Sequence, residues 1–292
     1  MWHVVARARG RFNREGALGE RSCYHTIRGR GVAVQLVVDV GNTETVVGLA
    51  ASSTRIVGEW RVSSSVPRTG DEMTALIRAF LAGENVNEWE IVRGVVGSVV
   101  PSANYVWNKT IRTITGVPVM TVGPHSDLPI SLDVEEPLTV GADRVVNTLA
   151  TKEMFGRDTI VVDLGTATTF DCITADGAFL GGAISPGLRA GLEWLSARTA
   201  KLPRVELRPP LAVIGRRTEA CIQSGVFYQA VESIDGIVSR IREEWQRPDA
   251  LVVATGGFAS TIAPHLKTVE VIEPLLTLYG LAIAGEHLAS LE

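Results

Sequence analysis

Two stretches of this chain put a carboxylate at the end of an apolar run and follow it with glycine and a hydroxyl residue. They are Asp39-Val40-Gly41-Asn42-Thr43 and Asp163-Leu164-Gly165-Thr166, 124 residues apart. An aspartate at a strand end points out of the sheet edge. The glycine two positions on lets the backbone turn and approach a ligand with no Cβ in the way. The threonine adds a hydroxyl and a backbone N–H. Such a set suits phosphate oxygens and a magnesium ion, which prefers carboxylate and water ligands. Each stretch alone also reads as an ordinary hairpin turn. As a facing pair they could clasp one polyphosphate from both sides.

Three further groups of residues could do chemistry. Gly141-Ala142-Asp143-Arg144 opens an expected helix over Val145 to Phe155. An aspartate in a first helical turn is favoured by the helix dipole in any protein. It is also where a general base could sit, accepting the proton of an alcohol as a phosphoryl group is transferred to it. Ala254-Thr255-Gly256-Gly257 runs from a strand into a helix, a setting for close approach to a nucleotide or for a plain left-handed turn. Thr218 heads a long helix, where it could touch a substrate or simply cap the end.

The elements that must hold these residues can be read from apolar periodicity. Val34 to Val40 and Thr45 to Ala50 are strands joined by a tight turn, and Arg55 to Val62 is a third strand. Thr69-Gly70-Asp71-Glu72 opens an amphipathic helix carrying Met73, Leu76, Ile77, Phe80 and Leu81. A strand over Ile91 to Val100 ends at Pro101, before a helix to about Thr115 and a short strand near Val117 to Val122. The theme then repeats. Strands cover Thr159 to Leu164, Ala167 to Ile173 and Phe179 to Ser185, and a helix starts at Pro186-Gly187. A long helix runs from Thr218 to about Trp245, and Leu251 to Ala254 is a strand. Leu275 to Leu288 is a helix apolar on most faces, hence largely buried. The period is too long for a solenoid. It fits two related α/β halves, 34–152 and 153–292, facing each other across a cleft.

Composition sets the limits. The chain has 292 residues, 46% hydrophobic and 21% charged, enough for one large or two modest cores. Its formal charge of -4 gives no general argument for nucleic-acid or anionic-membrane partners. No apolar run approaches the roughly 18 residues of a membrane helix. Cys23, Cys172 and Cys221 are widely spaced and form no CxxC pair. A disulfide framework or structural zinc is not expected, a reducing compartment fits, and Cys172 and Cys221 read as small buried hydrophobes. Residues 1–33 carry seven arginines against Glu15 and Glu20 and lack apolar periodicity. They are expected to be a disordered Arg-rich extension rather than a targeting segment.

The paired Asp-x-Gly-(Asn/Thr) turns and the Gly-Gly turn resemble the phosphate and adenosine motifs of the actin, Hsp70 and sugar-kinase superfamily. The resemblance narrows with Ser98-Val99-Val100-Pro101, Gly141-Ala142-Asp143-Arg144, Asp163 to Thr169, Gly181 to Gly187 and Thr218 with Gln223-Ser224-Gly225. Taken in that order, from about Val34 to the C-terminus, they resemble type III pantothenate kinases. The resemblance implies two actin-like, ribonuclease H-like α/β domains around a nucleotide cleft. It implies ATP-dependent phosphorylation of pantothenate to 4′-phosphopantothenate, the first step of coenzyme A synthesis, in the cytoplasm.

The resemblance also assigns roles. Asp143 is the base, and Gly141, Ala142, Asp143, Arg144 and Thr218 contact pantothenate, with Arg144 a partner for its carboxylate. Asp39, Val40, Gly41, Asn42, Thr43, Glu44, Thr45, Val46, Thr166, Gly256 and Gly257 bind ATP. Asp39 is a candidate Mg²⁺ ligand, and Asp163 holds a monovalent cation, K⁺ or NH₄⁺. A homodimer is implied as well. One position departs from the pattern: Val134 stands where many relatives carry a substrate-touching aromatic ring, which leaves an apolar wall without a phenolic hydrogen bond. A nucleotide-binding regulator without turnover, or a kinase for another small alcohol, are the alternatives. The intact Asp143–Arg144 pair argues against the first.

Overall fold

The computed structural model describes residues 33–292. The expected Arg-rich extension, up to residue 32, and Cys23 lie outside them. The first sheet is built from β1 (Val34–Val40), β2 (Glu44–Ser52), β3 (Arg55–Ser63), β4 (Ile91–Ser98) and β5 (Val119–Val122), in the order β3-β2-β1-β4-β5. Helices α1 (Gly70–Gly83) and α2 (Asn104–Thr115) interrupt the strands. α1 starts where its signal predicts: Thr69 accepts from the Glu72 N–H, and the Glu72 carboxylate accepts from the Thr69 N–H, a reciprocal capping box.

After β6 (Ser131–Leu132) and α3 (Ala142–Phe155) comes the second sheet. It contains β7 (Thr159–Leu164), β8 (Ala167–Ile173) and β9 (Ala178–Pro186). Helices α4 (Leu188–Arg198) and α5 (Thr218–Glu244) precede β10 (Leu251–Thr255). Short α6 (Ala259–Ile262), β11 (Val271–Ile272) and α7 (Leu276–Ala289) close the chain. The order is β11-β10-β7-β8-β9-β6. Read from β9 to β11, this repeats the first sheet strand for strand. Two antiparallel pairs (β1–β2 and β2–β3, β7–β8 and β8–β9) are followed in each sheet by two parallel ones (β1–β4 and β4–β5, β7–β10 and β10–β11). The fold is thus the duplicated α/β architecture that the sequence implies.

Strand alternation explains the layering. Leu36, Val38 and Val40 face α1 and α2 in one core. Val37 and Val95 face the other way and join Val161 and Val253 of the second sheet, with α3 and α7 between, in a central core. Ile160, Val162 and Leu164 pack against α5 and α6 in a third. The chain therefore forms five layers, helix–sheet–helix–sheet–helix. Helix α7 contacts β1, β2 and β4 as well as α3. The last helix thus covers the first sheet. Its expected burial holds, with Leu276, Leu278, Leu281, Ala282 and Ala284 inaccessible.

Two local expectations are corrected. α3 begins at Ala142, three residues early, because Gly141 is the N-cap and Asp143 sits inside the first turn. Cys172 is buried as expected, but Cys221 is exposed in the first turn of α5, where its thiol donates to the Gly215 carbonyl at 3.3 Å.

Candidate active site

Asp39 lies one residue from the end of β1 and Asp163 one residue from the end of β7, both on the faces that look into the central layer. The turns that follow them meet. The Thr166 hydroxyl donates to the Thr43 hydroxyl at 2.9 Å, so the two Asp-x-Gly turns touch across the cleft. They are not the same turn. In the first, Gly41 N–H donates to the Glu44 carbonyl; in the second, Gly165 N–H donates to the Ala167 carbonyl. Asp39 pairs with Val46 but Asp163 with Thr169, so the second turn is one residue shorter.

Between the turns stands the start of α3. Ala142 is buried close to Gly97, the residue beside Asp39 on β4, so this side chain packs and only its backbone is available to a ligand. The Asp143 carboxylate accepts from the Arg144 N–H at 2.8 Å. A Cβ on residue 141 would collide with that same carboxylate oxygen, so glycine is needed there for Asp143 to fold back over the turn. Arg144 is already engaged. Its Nε and Nη2 donate to Asp171 Oδ1 at 2.8 and 2.6 Å, and its guanidinium lies 4.8 Å over the Phe179 ring. Asp171 is fully buried on β8 and its Oδ2 has no partner.

Four carboxyl groups therefore share one poorly hydrated region. Burial pushes Asp39 up to about 8, helped by the charges of Asp143 and Asp163 and opposed by Arg61. Burial likewise lifts Asp163 to about 7, with Asp143 and Asp171 adding, and with a hydrogen bond from Asn147 and the Arg61 charge opposing. Asp171 rises to about 6, held down by Arg144. Asp143 is also raised by burial, against the pull of the Arg144 N–H and charge. A raised carboxyl suits a group that must take up a proton at neutral pH.

Such a site fits cations. Asp39 and Asp163 are short of positive charge. In register with Asp163 on the same face, the Thr255 hydroxyl is buried and unpartnered, as is Asp171 Oδ2 nearby in sequence and sheet. Oxygen donors without partners suit a hard cation or K⁺. No cage of three or more His, Cys, Asp or Glu ligands exists among the described residues.

The remaining candidates are distributed around this centre. Gly256 has φ +87°, and a Cβ there would strike Asp163 Oδ1, so the Gly-Gly turn lies directly against the second carboxylate. Val134 is half-buried against the central core, and its Cγ1 is 3.5 Å from where a Cβ on Gly181 would be. Thr218 is exposed at the start of α5. The N-cap is Arg217 and makes no side-chain cap, so the capping role is not what Thr218 performs. No hydrogen bond or ion pair among the described residues joins Thr218 to the carboxylate group. Sequence reading missed Arg61, Asp171 and Asn147. Asp171 carried a signal: a carboxylate in the mostly apolar strand Ala167–Ile173 requires a buried partner.

Comparison with known proteins gives the family. The family model described as type III pantothenate kinase matches residues 35–240. The type III pantothenate kinase of Moorella thermoacetica is 41% identical over 252 residues, 86% of this chain and 98% of that one. That of Syntrophotalea carbinolica is 44% identical over 248 residues, 85% and 96% of the two chains. Among solved structures, the ethanolamine utilization protein EutJ from Carboxydothermus hydrogenoformans shares the fold. Its TM-score is 0.52 at 18% identity, over 86% of this chain and 90% of that one.

Proposed function

The chain belongs to the type III pantothenate kinase family, and from that premise we propose that the cleft transfers the γ-phosphoryl group of ATP to the primary hydroxyl of pantothenate. The products are ADP and 4′-phosphopantothenate, the entry to coenzyme A synthesis. The observation that carries the reading is the meeting of both Asp-x-Gly turns at the helix start that bears Asp143.

In this reading Asp39, Val40, Gly41, Asn42, Thr43, Glu44, Thr45 and Val46 receive the phosphates from one side. Thr166, Gly256 and Gly257 receive the nucleotide from the other. Asp143 accepts the hydroxyl proton. The Arg144 N–H helps to orient it, and catalysis comes from positioning and charge neutralisation. Gly141, Ala142 and Thr218 line the acceptor, and Val134 gives it an apolar wall. Arg144 binds the pantothenate carboxylate while Asp171 holds the guanidinium in place.

A kinase of this family uses ATP with a divalent metal; we assign Mg²⁺ to Asp39 and a monovalent cation, K⁺ or NH₄⁺, to Asp163. These ions neutralise polyphosphate charge when bound. The unpartnered oxygens of Thr255 and Asp171 support a cation beside Asp163. We take 34–152 and 153–292 as the two halves. No helix among the described residues is long and apolar enough to cross a membrane, and we place the enzyme in the cytoplasm. A homodimer is supported by the exposed apolar side chains of Trp194, Leu211, Val213 and Ile214.

A coupled ADP-release assay, with and without pantothenate, in potassium and in a non-binding cation, tests the reading. Pantothenate-dependent turnover, faster in potassium, is expected. No pantothenate-dependent turnover in either salt would refute it.

A further inference from the structure

We infer that Arg61 is a phosphate-contacting residue of the nucleotide site, parked on Glu44 until ATP arrives. The inference rests on reading the cleft as an ATP site.

Strand register supplies the placement. Asp39 on β1 pairs with Val46 on β2, which pairs with Arg61 on β3. Residues directly opposite across a sheet project from the same face, so these three side chains form one row looking into the cleft. Neighbouring strands are about 4.8 Å apart, which puts Arg61 roughly 10 Å from Asp39, within reach of a guanidinium turned inward. The side chain does turn inward. Its Nη1 is 3.6 Å from Glu44 Oε2, beside the first Asp-x-Gly turn. The same atom is 3.7 Å from where a Cβ on Gly257 would sit, in the Gly-Gly turn of the other half. One cation thus spans the space between the two proposed nucleotide-binding turns.

Its present partner does not hold it firmly. The Glu44 pair is long, and the two side chains are 39% and 45% exposed, a geometry that contributes little to stability. Nor does the scaffold need a cation here. The matching row of the second sheet is Asp163, Thr169 and Ile184, and Ile184 is 65% exposed. The duplicated half folds with an apolar residue at the same place. A planar guanidinium suits phosphate oxygens far better than a single carboxylate at 3.6 Å.

The test measures ATP and adenosine binding by calorimetry, and turnover, for wild type, Arg61→Gln and Arg61→Lys. Losing one charge-assisted contact should weaken ATP binding about ten- to hundredfold in Arg61→Gln. Adenosine binding should stay within twofold of wild type, and Arg61→Lys should recover part of the loss. Equal weakening of ATP and adenosine, or ATP binding within twofold of wild type in Arg61→Gln, would overturn the inference. If the wild type itself bound no ATP, the nucleotide reading would fall and this inference with it. Wild-type turnover with an indifferent Arg61→Gln would remove only the role of Arg61.

Discussion

The proton-accepting role proposed for Asp143 rests on three features: burial raises its pKa, the Arg144 N–H orients it, and the absence of a Cβ at residue 141 leaves it room. Asp143→Asn should keep ATP affinity and lose about 10²–10⁴-fold in kcat, the scale of a lost general base; normal turnover would show that the base lies elsewhere. Asp39 and Asp163 carry a different consequence. Their carboxyls sit at about 8 and about 7, far above the usual range near 4. The empty folded protein therefore binds more protons than the unfolded chain between about pH 4 and pH 8, and stability falls as pH rises through that window. Melting curves in chelator and without potassium should show the transition temperature dropping from pH 5 to pH 8.5. Asp39→Asn should flatten that slope and melt higher than wild type at pH 8.5. A slope unchanged by the substitution would mean that Asp39 is not the titrating group.

At the scale of elements, α3 and α7 govern the site. Their close approach depends on Gly280, where a Cβ would collide with the Val146 carbonyl. The Thr277 hydroxyl also donates to Asn147 Oδ1 at 2.9 Å, and Asn147 in turn hydrogen-bonds Asp163. Gly280→Val should cost about 1–3 kcal/mol of stability by overpacking, read as a lower urea midpoint. It should also lower kcat, because pushing α7 off α3 moves Asp143. A stable variant with full activity would contradict that coupling. These helices also mark how far the sequence could be read. Apolar, β-branched runs gave the first eight-residue-scale strands their places, and Thr69 with Glu72 announced α1. The two-residue strands β6 and β11 carry no period of their own and exist only by pairing with β9 and β10. Asp39, Asp143 and Asp163 were legible because each sits beside its own glycine. Arg61 was not, because its meaning depends on register across strands; Asp171 announced a need for a buried partner but not that the partner is Arg144.

For the whole molecule, the duplicated sheets have diverged at matching positions. One carries Arg61 in the row that the other fills with Ile184, so matching positions of a duplicated scaffold differ in charge. The second half also exposes Trp194, Leu211 and Ile214, at 62%, 107% and 83%. These exposed side chains are where the proposed homodimer can be tested. On that proposal the wild type should sediment as a dimer, and Trp194→Glu combined with Ile214→Glu as a monomer that still melts cooperatively. A dimer that persisted would place the interface elsewhere.

The return of α7 to the first sheet has a consequence for biosynthesis. β1, β2 and β4 leave the ribosome early, yet α7, which covers their inner face, follows about 180 or more residues later. At about 5–20 residues per second, that face waits roughly ten to fifty seconds for its cover. During that interval the nascent first half exposes Val37 and Val95. A stalled chain ending before Leu276 should bind a chaperone and yield to protease. A chain that includes α7 should resist both, and loss of α7 should disable the half of the protein made first.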